Sequence, residues 1–121
     1  MPLYMTQFAY TREAWATLTD NPQDTSAAMR ELLEAHGGRL VSWYLSLGEY
    51  DGLLIYEAPD DASAGALILA AAKRGHLRTT KTVPLFASEE SVEILRRAGG
   101  MGFRAPGEEE GEQRQDLKAR H

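Results

Sequence analysis

The sequence contains no cysteine. That single absence removes disulfides, thiolate metal sites and a cysteine nucleophile, and it agrees with a reducing compartment. Long apolar runs are missing as well. Nothing approaches the ~20 apolar residues that a bilayer-spanning helix needs, so no membrane partner is expected. The first residues, Met1-Pro2-Leu3-Tyr4-Met5-Thr6, carry neither the basic region nor the apolar segment of a secretory signal. A cytoplasmic protein is expected. Basic charge is in deficit: the net charge is −5 and no basic stripe stands out. The electrostatic drive toward a phosphate backbone is then small, and no nucleic-acid partner is expected. His/Asp/Glu spacings that read as a metal site are absent, and so are phosphate-loop and dinucleotide glycine patterns. No cofactor is expected.

What is present suits one domain. A chain of 121 residues with 43% apolar content can bury a core without metal or disulfide help. Residues 3–10 alternate as a strand, with Tyr4, Thr6, Phe8 and Tyr10 on one face and Leu3, Met5, Gln7 and Ala9 on the other. Thr11 is placed to cap a short helix through Trp15 and Leu18, which Asn21-Pro22 interrupts. A second helix starts near Asp24 or Thr25 on an apolar stripe of Ala28, Leu32, Leu33 and Ala35. His36-Gly37-Gly38 stops it. Residues 39–47 form the second strand, with Val41, Trp43, Leu45 and Leu47 opposite Leu40, Ser42, Tyr44 and Ser46. Residues 53–57 form the third. Asp60 then caps a helix over 62–74, and residues 76–86 make a fourth strand whose end Pro84 demotes to an edge. Ser88-Glu89-Glu90-Ser91 caps a last helix that Gly99-Gly100 stops. The domain is expected to span 1–99. Residues 100–121 are read as a polar, mobile tail, the composition changing at about Pro106.

The order β-α-β-β-α-β plus a helix is an α+β, ferredoxin-like pattern with an antiparallel four-stranded sheet and helices on one face. Both faces of strands one, two and four carry large apolar groups. A second copy of the chain is the simplest cover for the free face, giving a homodimer in which two sheets meet. Cover by the C-terminal helix within one chain is the alternative.

The segment Gly48-Glu49-Tyr50-Asp51-Gly52 concentrates unusual residues. As a turn, its glycines permit positive φ and Asp51 accepts hydrogen bonds from nearby backbone N–H groups. As a site, Tyr50 and Asp51 orient a polar ligand or move a proton at a cavity mouth. Candidate companions are His76 and Arg78 on the fourth strand, Tyr4 on the first and Tyr44 on the second. His76 and Arg78 are expected to share a face, and Tyr4 and Tyr44 can share one. His36 suits a helix C-terminus. Trp15 and Trp43 read as core anchors, and Glu57 as one half of a cross-strand ion pair with Arg78 or Lys81.

Together with Tyr44-Leu45-Ser46-Leu47 before it, Gly48-Glu49-Tyr50-Asp51 resembles the GYD-domain family, a small bacterial and archaeal group of dimeric α+β barrels. Glu57-Ala58-Pro59-Asp60-Asp61, Gly75-His76-Leu77-Arg78-Thr79-Thr80-Lys81-Thr82 and Phe86-Ala87-Ser88-Glu89-Glu90 extend the likeness over roughly residues 2–95. Val83-Pro84 departs from it at the end of strand four. The resemblance implies a ferredoxin-like fold and a dimer or larger homo-oligomer. It implies no single activity, since structural relatives include monooxygenases, lactone isomerases, haem-dependent enzymes and amino-acid-sensing domains. Two function classes follow. One is an oligomeric module that binds a small molecule or assembles. The other is a small cofactor-free enzyme, an isomerase or monooxygenase, acting on a small polar or aromatic substrate.

Overall fold

In the computed structural model, which describes residues 1–107, eight elements follow one another along the chain. They are β1 (Leu3–Tyr10), α1 (Arg12–Asp20), α2 (Ser26–Ala35), β2 (Arg39–Leu45), β3 (Gly52–Glu57), α3 (Asp61–Ala72), β4 (Leu77–Leu85) and α4 (Ser88–Gly99). The chain divides into two compact units, Met1–Leu85 and the segment from Phe86 onward. Most of the expected tail, from residue 108 on, lies outside the described residues.

Local chemistry accounts for the helix ends of the first unit. Thr11 is extended and its hydroxyl accepts the Ala14 N–H, so α1 begins where a capping residue meets its first orphan donors. Asp60 does the same for α3 through the Ser63 N–H, a bond that holds its carboxyl below the usual carboxylate range. At the start of α2 the carboxylate of Asp24, one residue upstream of Thr25, takes both the Ser26 N–H and its hydroxyl. Gly37, at φ +81°, closes α2 in the left-handed region that side-chain-bearing residues avoid. In the second unit the expected serine cap is replaced. Ala87 holds the cap position of α4 without a side-chain bond, and Ser88 is already helical. Glu89 and Glu90 in the first turn and Arg96 and Arg97 in the last complement the helix dipole.

The strands form one antiparallel sheet in the order β2-β3-β1-β4. Tyr4, Thr6, Phe8 and Tyr10 of β1 face the core, as the alternation predicts, alongside Leu54 and Tyr56 of β3. Leu33 of α2 and Ala64, Leu67 and Ile68 of α3 pack down onto them. Two bulges break the predicted alternation elsewhere. In β2, Leu40 pairs with Tyr56 and Ser42 with Ile55, leaving Val41 as an extra residue. Leu40 and Trp43 therefore share the core face instead of opposing one another. A second irregularity, at Ala9/Tyr10, puts Leu77 opposite Tyr10 and Thr79 opposite Ala9, with Arg78 unpaired between them. His76 and Arg78 are thus not arranged by the simple alternation that was expected to put them on one face. Glu57 finds neither Arg78 nor Lys81. Its cross-strand neighbour is Arg39, at 3.2 Å, whose guanidinium holds the carboxyl below its usual range.

The core contains a polar chain. The Tyr56 and Thr6 hydroxyls lie 2.8 Å apart, and Thr6 is again 2.8 Å from the Thr82 hydroxyl. Tyr56 is fully buried and Thr6 almost so, so each hydroxyl needs a protein partner. Burial pushes the Tyr56 phenol up while the two threonine bonds pull it down. Tyr56→Phe removes one hydroxyl but leaves Thr6 bonded to Thr82. Urea unfolding is expected to show a loss of about 1 kcal/mol, and Thr6→Val a larger loss, because it takes a hydroxyl partner from both Tyr56 and Thr82.

Candidate functional site

Asp51 is the centre of the segment that the sequence singles out, and its partners are distant in the chain. One carboxylate oxygen, Oδ2, accepts the backbone N–H of Tyr10 at 2.8 Å and the indole N–H of Trp15 at 3.0 Å. The Asp51 N–H donates to the Phe8 carbonyl at 2.8 Å, and its own carbonyl accepts the Ser46 N–H at 2.9 Å. β1–β3 pairing stops at Phe8 and Gly52. Just past that point Tyr10 needs an acceptor, and a side chain from the β2–β3 connection supplies it. The Asp51 backbone thus closes its own turn, but its carboxylate does not bond within that turn as it would in a simple hairpin. It joins the connection to the end of β1 and to α1.

Positive φ occurs at Gly37, Gly75 and Gly107, not at Gly48 or Gly52. Gly52 is required for space: a Cβ there would collide with the Phe8 ring and lie 2.9 Å from the Tyr44 carbonyl. Asp51 and Gly52 therefore work as a pair, one bonding the end of β1 and the other letting the Phe8 ring pass.

The remaining candidates are scattered. Tyr50 is half-buried, and its carbonyl accepts the Ser46 hydroxyl at 2.8 Å. Tyr4 is buried on the core face, stacked on Tyr56, and donates to Asp61 Oδ1 at 2.6 Å. That bond, reinforced by burial, pushes its phenol up to about 12. Tyr44 pairs with Leu53 on the opposite face and is 55% exposed, so the two tyrosines do not share a face. The bulge in β2 is the reason. Arg78 is exposed, whereas the His76 ring is half-buried and lies 6.3 Å from that of Tyr10.

A cavity of about 780 Å³ opens between the three helices and the core face of the sheet. Phe8, Tyr10, Trp43, Met29, Ile68 and Leu77 give it an apolar lining. Of the six candidate residues only His76 lines it. Tyr10, Phe8 and Trp43 in its wall belong to an aromatic row that begins outside it at Trp15, with successive ring centroids 5.2, 5.2 and 5.0 Å apart. By sequence alone Trp15 is a core anchor. No local pattern could reveal its bond to Asp51, because the two are 36 residues apart and meet only in the fold. Among the described residues no group of three or more His, Asp or Glu side chains is placed to hold a metal ion.

The sheet order and helix placement define a ferredoxin-like α+β protein, built around a loop that carries the Gly-Glu-Tyr-Asp run. The GYD domain matches residues 4–95, and the chain belongs to that family. It is 33% identical over 79 residues to a Thermus thermophilus protein named glutamine synthetase and cystathionine beta-lyase binding protein. That match covers 65% of this chain and 83% of the relative. Among solved structures, MtbAldR is similar at a TM-score of 0.53 and 10% identity, over 72% of this chain and 54% of that one. An AsnC family transcriptional regulator from Agrobacterium tumefaciens aligns at a TM-score of 0.49 and 14% identity, over 72% of this chain and 51% of that one. The chain thus spans about half the length of these two proteins. The first likeness is one of fold.

Asp51→Ala leaves the Tyr10 N–H and the Trp15 indole without their acceptor. It is expected to cost about 2 kcal/mol in urea unfolding, and Asp51→Asn, which keeps an acceptor oxygen, about half as much. A Trp15→Phe background should shrink the Asp51→Ala penalty, because the cycle removes a shared bond. Tyr4 gives a pH prediction. Its folded-state pKa lies above the ordinary 10, so the folded chain holds this proton more tightly. The stability it contributes is complete below pH 10 and declines as pH rises from 10 toward 12. Melting temperatures of Tyr4→Phe should fall less steeply over that window than those of the parent.

Proposed function

We propose that the protein is a homo-oligomeric assembly module: two copies meet through their sheets, and the assembly binds a protein partner. The observation that carries this reading is the chemistry of the sheet face turned away from α1, α2 and α3. The strand registers stack it in rows. Leu85, Leu3, Glu57 and Arg39 form one, Val83, Met5, Ile55 and Ser42 the next, and Lys81, Gln7, Leu53 and Tyr44 the third. A continuous apolar patch of Leu85, Leu3, Val83, Met5, Ile55 and Leu53 runs across β4, β1 and β3. The Arg39–Glu57 ion pair borders it at one corner and Lys81 and Gln7 at another. An apolar centre with a charged rim is the usual composition of a protein interface. Opposed sheets bury such a patch symmetrically, each row meeting its equivalent across a two-fold axis.

The relative named as a binding protein supports the second half of the reading, that a protein is the partner. The enzyme reading required Tyr50, Asp51 and His76 around one cavity. The Asp51 carboxylate instead bonds Tyr10 and Trp15, and neither it nor Tyr50 lines the cavity that His76 borders. Among the described residues no helix is long and apolar enough to cross a membrane.

Sedimentation equilibrium at micromolar concentration is expected to give a dimer or larger species. Met5→Glu, at the centre of the patch, is expected to shift it to monomer while the chain stays folded by circular dichroism. A parent that sediments as a monomer would overturn the assembly reading.

A further inference from the structure

The helix-side cavity sorts its lining by depth. Its deep side is apolar and aromatic: Phe8 is 4% exposed, Leu54 1% and Tyr10 8%, with Trp43 beside them. Its exposed margin is cationic. Lys73 and Arg74 follow one another at the end of α3, and His76 comes next but one. Small residues leave the space open. Ala14 of α1, Ala28 of α2 and Ala70 and Ala71 of α3 all border it, so each helix presents a methyl group where a larger side chain would fill the volume.

The charges at the margin do not cancel. Among the described residues the ion pairs are Arg39–Glu57, Arg96–Glu93 and Arg97–Glu93, so neither Lys73 nor Arg74 takes part in one. Asp24 is the one carboxylate in the lining. It is already occupied by the Ser26 N–H and hydroxyl, which hold it below its usual range and keep it ionised. Two cations against one anion leave a surplus of one positive charge. Inside, burial pushes the Tyr10 phenol up, so it remains a neutral hydroxyl. A volume of about 780 Å³ lies within the ordinary range of small-molecule sites.

We infer that this cavity binds a small amphipathic carboxylate. An aromatic or branched apolar body lies against Phe8, Tyr10 and Trp43, and its single negative charge lies at Lys73 and Arg74. This site goes beyond the assembly reading and does not depend on it, since the patch proposed for assembly is on the other face of the sheet. Dansylglycine has this form, and dansylamide is its uncharged counterpart. Fluorescence titration of the full chain is expected to show saturable binding of dansylglycine at one per chain. The double variant Lys73→Gln/Arg74→Gln changes exposed side chains and should fold normally. It is expected to weaken dansylglycine about tenfold while dansylamide stays within about twofold. Met29→Trp, which fills the cavity, should weaken both. Met5→Glu should leave dansylglycine within about twofold, so the two readings fail separately. No saturable binding to the parent overturns the inference. So does a charge variant that weakens both probes equally or neither, and that arm decides the matter even if Met29→Trp does not fold.

Discussion

One carboxylate oxygen ties the first unit together. Asp51 Oδ2 takes two N–H donors, one from the end of β1 and one from the Trp15 indole on α1. A hydrogen bond to an ionised acceptor is stronger than a neutral one. This one also fixes directions. With its N–H held, the Trp15 ring is set edge-on to Tyr10, which is edge-on to Phe8, which leans on Trp43. Three of these rings, Tyr10, Phe8 and Trp43, line the helix-side cavity. The Gly-Glu-Tyr-Asp run therefore acts on the cavity from outside it, by positioning the side chains that line it.

The central strand gives one short sheet two chemically distinct faces. β1 lies between β3 and β4, so both of its edges are paired and its side chains divide between two faces. Toward the helices it presents Tyr4, Thr6, Phe8 and Tyr10, three of them aromatic and two engaged in side-chain hydrogen bonds. Away from them it presents Leu3 and Met5, flanked in register by Ile55, Val83 and Leu85. A polar, hydrogen-bonded core fixes one arrangement of the strands. The plain aliphatic patch has no such internal demands and is suited to a flat, repeated contact. The surfaces proposed for assembly and for small-molecule binding thus lie on opposite sides of the same strand.

The elements were largely legible in the sequence because their signals are local. Thr11 and Asp60 cap helices, Gly37 stops one, and the β1 alternation separates core from surface, since each depends on residues within one turn or one pleat of each other. The candidate site was legible only in part. His76 borders the cavity, but Tyr44 and Arg78 stand elsewhere, because a bulge inserts one residue and turns every later side chain to the other face. Period-two reasoning has no means of seeing that insertion. Glu57 likewise found Arg39 instead of Arg78 or Lys81, since strand order decides which charges become neighbours.

The sequence by itself determined the order of elements, the caps of α1 and α3, the ferredoxin-like class and the two-sided apolar character of the strands. These follow from propensity, spacing and the need to bury apolar surface. Only the tertiary structure decided what Asp51 bonds, why Gly52 is glycine, and which side chains enclose the cavity. Each of those depends on atoms tens of residues apart coming within a few ångströms, at distances set by register and packing.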